Sequence, residues 1–160
     1  MNKKVLSVLV DNTSGVLNRV AGLFSRRGYN IDSLTVGVTQ DPRYSRMTIV
    51  VTGDDDIIEQ IIKQIEKLVD VNKVEVLEDN NSVCRELILT KVKTTPEQRQ
   101  QVMEVADIFR AKIVDVGIDS LIIELTGNQN KLDAFLNLLA DYEILELVRT
   151  GITGLARGTK

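Results

Sequence analysis

The chain has 160 residues, room for one ordinary domain or two small ones, and its 43% hydrophobic and 27% charged residues are the proportions of a folded globular protein. A formal net charge of -3 argues against a nucleic-acid surface, which needs clustered basic side chains, and offers an anionic membrane no attraction. Runs such as Val5 to Val10 and Leu121 to Leu125 are too short to cross a bilayer, and Met1-Asn2-Lys3-Lys4 is expected to lead straight into a strand rather than a cleaved leader.

Aromatic residues are 4% of the chain and tryptophan is absent, so the core must come from Ile, Val and Leu. Periodicity predicts a strand at Val5 to Val10, then a helix from Gly15 to Arg27 whose apolar face carries Val16, Val20, Leu23 and Phe24. Arg26 and Arg27 suit its negative end, and Gly28 supplies the left-handed stop. Strands at Ile31 to Thr39 and Arg46 to Thr52 flank a turn at Asp41-Pro42-Arg43. A second helix opens at Gly53-Asp54 and runs to about Leu68, with Ile57, Ile58, Ile61, Ile62 and Ile65 inward, and Val71 to Leu77 closes the unit as a strand.

Glu78 to Ser82 is a polar break and the expected linker, giving domains 1–78 and 83–160. The second half repeats the order: a strand at Cys84 to Val92, a helix from Pro96 to about Arg110, strands at Lys112 to Val116 and Ser120 to Leu125, a helix from about Asn130 to Leu139, and a strand at Ile144 to Val148. Leu68, Asp70 and Glu75 return at one constant offset as Leu139, Asp141 and Glu146, though the repeated element order carries more weight than three letters. Strand-helix-strand-strand-helix-strand, twice, is an α+β plan of two ferredoxin-like βαββαβ domains. Units this small bury little surface alone, so pairing with another domain or chain is expected.

No catalytic or metal-binding residues are expected. Histidine is absent, which removes the commonest general base and metal ligand. Cys84, beside Arg85 in an apolar strand, reads as a small structural residue, and a single thiol fits a reducing cytoplasm. Asp54-Asp55-Asp56 reads as a cap and charge complement for the second helix in preference to a metal site.

The helix starts differ. The second has its three aspartates, the third has Thr95 and Gln98 as a capping box with Glu97, and the fourth opens around Asn128 to Asn130 with Asp133 nearby. The first, Ser14-Gly15-Val16-Leu17-Asn18-Arg19, has no acid in its opening turn. Its N–H groups either await an external carboxylate or phosphate, or are served by Ser14 as an ordinary cap and by water. Asn30 has two readings as well: an amide able to meet both charged groups of an amino acid, or a residue chosen for the turn Gly28-Tyr29-Asn30.

Two stretches, Leu6-Ser7-Val8-Leu9-Val10-Asp11-Asn12-Thr13-Ser14-Gly15-Val16-Leu17 and Gly22-Leu23-Phe24-Ser25-Arg26-Arg27-Gly28-Tyr29-Asn30-Ile31, resemble the small regulatory subunits of acetohydroxyacid (acetolactate) synthase. Arg85-Glu86, Ile108-Phe109-Arg110, Lys131-Leu132-Asp133-Ala134-Phe135 and the tail Gly151-Ile152-Thr153-Gly154-Leu155-Ala156-Arg157-Gly158 extend the resemblance over essentially the whole chain. It implies an N-terminal ACT domain, a ligand-sensing module, that pairs side by side into a homodimer and holds valine between subunits. By position it carries over Asn12, Gly15, Val16, Leu17, Asn30 and Ile31 as effector contacts. It further implies a separate large catalytic subunit, which uses thiamine diphosphate, magnesium and FAD at the start of valine, leucine and isoleucine synthesis. This chain would stimulate that partner and confer valine feedback, with no cofactor of its own.

Rival classes make distinct demands. An RNA-binding βαββαβ module needs exposed aromatics and basic flanks, which three Phe, three Tyr and an acidic balance supply poorly. A small carboxylate enzyme would turn over substrate unaided. An ACT-type sensor serving another enzyme of amino-acid metabolism is the nearest alternative.

Overall fold

Alternation of apolar and polar residues lays down the first sheet. In a computed structural model, which describes residues 2–159, β1 (Asn2–Asp11), β2 (Ile31–Val38), β3 (Tyr44–Gly53) and β4 (Val71–Leu77) form an antiparallel sheet of order β2-β3-β1-β4. Leu6 stands opposite Ile49 and Val8 opposite Met47, so their side chains share one face. Helices α1 (Val16–Arg27) and α2 (Asp55–Glu66) close over that face with Val20, Leu23, Phe24, Ile58, Ile61 and Ile65. Each such side chain contributes about 1.5–3 kcal/mol on burial. Ile57, expected inward, is 37% exposed, because only one stripe of a helix this rich in isoleucine can reach the sheet.

The second sheet follows the same rule. β5 (Ser82–Lys93), β6 (Lys112–Val116), β7 (Ser120–Gly127) and β8 (Glu143–Arg149) are ordered β6-β7-β5-β8, with α3 (Pro96–Ile108) and α4 (Gln129–Leu138) as the helical layer. Ile88, Val92, Leu121, Ile123 and Leu125 meet Val102, Ala106, Leu132, Phe135 and Leu139. Phe109 packs edge-on against Phe135 at 5.4 Å between ring centres. Glu86 is buried on this inner side and accepts a 2.6 Å hydrogen bond from Arg149, which raises the guanidinium pKa above its ordinary value.

The expected division into 1–78 and 83–160 differs from the observed one in two ways. The polar break is a single 3-10 turn, Asp79–Asn81, running directly into β5, and the units separate between Cys84 and Arg85. A ninth strand, β9 (Thr153–Ala156), pairs with β5, and the segment from Ile152 onward belongs with the first unit, leaving Arg85–Gly151 as the second. Gly154 explains this return. A Cβ there would lie 2.7 Å from Cys84 Sγ and 3.0 Å from the Val83 carbonyl, so only glycine lets the tail strand approach so closely. Among the described residues no helix is long and apolar enough to cross a membrane.

Candidate functional site at the uncapped end of α1

The backbone enters α1 through Gly15, at φ 87° and ψ -5°, and among the described residues no side chain caps the first turn. Ser14 is therefore not the cap. The other three helices are closed by their own residues: Asp54 accepts from Ile57 N–H, Thr95 and Gln98 form the reciprocal box, and Asn128 accepts from Lys131 N–H. Asp54 thus performs the capping role expected of it. The α4 opening turn also lacks an acid, since Asp133 falls beyond it. What separates α1 is the absence of both an acid and a capping side chain.

Val16 N–H reaches the Thr13 carbonyl only at 3.5 Å. The N–H groups of Leu17 and Asn18 lie in the turn where no intrahelical acceptor exists. Arg19 adds a positive group that the sequence reading did not name as a site residue. It stands one turn from Gly15 on the same side of the helix. Its Nε pairs with Asp70, and its Nη2 donates to the Ser14 carbonyl at 3.4 Å. Among the described residues Nη1 has no hydrogen-bond partner, and it lies 2.9 Å from where a Cβ on Gly15 would stand. Main-chain donors, the positive helix end and a guanidinium edge together make a receptor for a small anion.

The neighbouring residues divide into supports and walls. Asn12 is spent on holding the β2–β3 loop: its N–H donates to the Arg43 carbonyl at 2.7 Å, and its Nδ2 donates to the Pro42 carbonyl at 3.0 Å. Its Oδ1 accepts from Ser45 Oγ at 3.1 Å. Within that loop the Arg43 side chain donates to Asp41, holding the Asp41 carboxyl below its ordinary pKa. Val16 is buried in the core, whereas Leu17 is 46% exposed beside the open turn.

Asn30 and Ile31 sit at the far end of α1, past the left-handed stop at Gly28. Asn30 is exposed, and its Nδ2 donates to Asp32 Oδ1 at 3.4 Å. Twelve helical residues span about 18 Å, longer than any single amino acid. One chain therefore brings Asn12, Gly15, Val16 and Leu17 together and keeps Asn30 and Ile31 apart from them. Among the described residues no group of His, Cys, Asp or Glu is arranged to hold a metal ion.

Comparison with known proteins agrees over the full length. Residues 6–73 match the family described as the AHAS small subunit-like ACT domain, and residues 85–158 match the small subunit of acetolactate synthase. The chain is 50% identical over 155 residues to the acetolactate synthase small subunit of Mycolicibacterium smegmatis, covering 97% of this chain and 91% of that one. It is 48% identical over 159 residues to the Haemophilus influenzae protein of the same name, covering 99% and 98%. The crystal structure of the acetolactate synthase small subunit from Thermotoga maritima superimposes with a TM-score of 0.91 at 44% identity, covering all of both chains. The chain belongs to the family of acetolactate synthase small subunits, the ACT-domain regulatory subunits of branched-chain amino-acid synthesis.

Proposed function

We propose that this chain stimulates a large catalytic subunit of acetolactate synthase and makes it sensitive to valine. The observation that carries the reading is the α1 entrance, where Gly15, the free first-turn donors and Arg19 form a receptor awaiting a carboxylate. Valine's carboxylate binds there. Its isopropyl group packs against Leu17 and, from a second copy, Ile31, while Asn30 of that copy completes the polar contacts. The length of α1, about 18 Å and more than one amino acid can span, supports the two-copy arrangement.

A ligand shared by two chains favours one mode of pairing over another, and that difference in affinity is what feedback requires. A usable sensor needs a coupling of about 1–3 kcal/mol. In this reading the chemistry, with its thiamine diphosphate, magnesium and FAD, stays in the large subunit, and the pair works in the cytoplasm. The test is reconstitution: the purified chain added to a catalytic subunit should raise acetolactate formation, and valine should lower it again. Unchanged turnover on adding the chain contradicts the stimulatory role, and unchanged turnover on adding valine contradicts the sensing role.

A further inference from the structure

The helix-free side of the first unit's sheet holds a second recess, on the face opposite the α1 and α2 layer. It is a cleft of about 150 Å³ whose floor is Ser7, Leu9 and Arg46, with Lys73 and Glu75 along one side. The tail strand β9 supplies the remaining wall through Leu155 and Ala156. Strand register explains the grouping: Leu9 stands opposite Arg46 on one side and Lys73 on the other, and Ser7 stands opposite Glu75. Cross-strand neighbours share a face, so Arg46 and Lys73 flank Leu9, with Glu75 beside Ser7.

Arg46 is the informative residue. It is half-buried, and no described carboxylate lies within ion-pair distance of it. Its Nη1 donates to Ser7 Oγ at 2.7 Å, and Ser7 is only 2% exposed, so a packed hydroxyl fixes the guanidinium. A positioned guanidinium without an acid is the usual receptor for a planar carboxylate. Lys73 and Glu75 are 3.9 Å apart, a loose pair that leaves the ammonium able to turn toward a ligand.

We propose that this cleft binds a small aliphatic carboxylate, with the carboxylate on Arg46 and the alkyl group between Leu9 and Leu155. A recess of this size takes about six non-hydrogen atoms. Because β9 forms one wall, an occupied cleft holds the tail strand against the sheet. The site is independent of the α1 receptor, and neither requires the other.

The test follows amide signals of Ser7, Leu9 and Leu155 by NMR in the full chain during titration with isobutyrate, isobutyramide and valine. Isobutyrate should move these signals saturably with a Kd of about millimolar order. Isobutyramide, the same shape without the charge, should not move them. Arg46→Gln should weaken isobutyrate about tenfold or more. Lys73→Gln, at an exposed position, should weaken it severalfold, and stands in should Arg46→Gln fail to fold. Gly15→Asp should leave these shifts unchanged, which separates this cleft from the α1 receptor. Saturable shifts with valine would identify an amino acid as occupant, and shifts with isobutyrate alone a carboxylate without an ammonium group. Absence of saturation at 50 mM isobutyrate, or equal response to isobutyramide, would overturn the proposal.

Discussion

Gly15→Asp places a carboxylate where the effector's carboxylate is proposed to sit. The folded protein tolerates this moderately. A non-glycine residue at φ 87° costs about 1–2 kcal/mol. The new carboxylate recovers about 0.3–1 kcal/mol from the helix end, with the Arg19 guanidinium alongside. The clash to relieve involves only Arg19 Nη1, the mobile tip of a long side chain. Thermal unfolding should therefore shift down by no more than a few degrees, at about 2–4 °C per kcal/mol for a chain of this size. Binding behaves differently. Two carboxylates about 4 Å apart near a protein surface repel by about 4 kcal/mol, roughly a thousandfold in Kd. Gly15→Ala carries the same backbone strain without the charge, and should bind valine within about tenfold of the parent. Calorimetric titration of valine into the three proteins decides the matter. Retention of parental affinity by a folded Gly15→Asp would refute the placement of the carboxylate.

Valine at a hundred times its Kd should stabilise the chain by about 2.7 kcal/mol, read as a rise in melting temperature. Gly154→Val should dislodge β9, because its side chain meets Cys84 Sγ at 2.7 Å and the Val83 carbonyl at 3.0 Å. Hydrogen exchange at Thr153–Ala156 should then accelerate, with amides around Phe135 unaffected. Arg149→Met should cost about 3–5 kcal/mol in denaturant unfolding, since it leaves Glu86 buried without its partner. In the parent, a cation whose pKa is raised contributes fully below its unfolded value and loses that contribution only above it. The Arg149 contribution should accordingly be flat from pH 5 to 9, which unfolding curves across that range will check.

The two repeated units were legible in the sequence because each helix carries a one-sided apolar stripe and each strand alternates. Val16, Val20, Leu23 and Phe24 fall where that periodicity puts them. β9 was not legible. Four residues containing a glycine show no alternation, and the tail's place depends on the space left at Gly154 by residues seventy positions away, a contact that local pattern does not encode. Ile57 was misplaced because consecutive isoleucines satisfy more than one helical phase. At the α1 entrance, the missing acid was visible in the letters, but Arg19 turning back over Gly15 was not, since its orientation is set by Asp70 across the fold. The separation of Asn30 from Gly15 could be read from helix length alone.

The claim that each effector site is built from two chains is best tested by mixing variants. Dimers of a Gly15→Asp chain with an Asn30→Ala chain place both lesions in one site and leave the other site intact. Calorimetry on the mixed dimer should then recover valine binding at parental affinity and half the parental stoichiometry, although each variant alone binds poorly. If a single chain holds the whole site, every site in the mixture carries a lesion, and no tight binding will return.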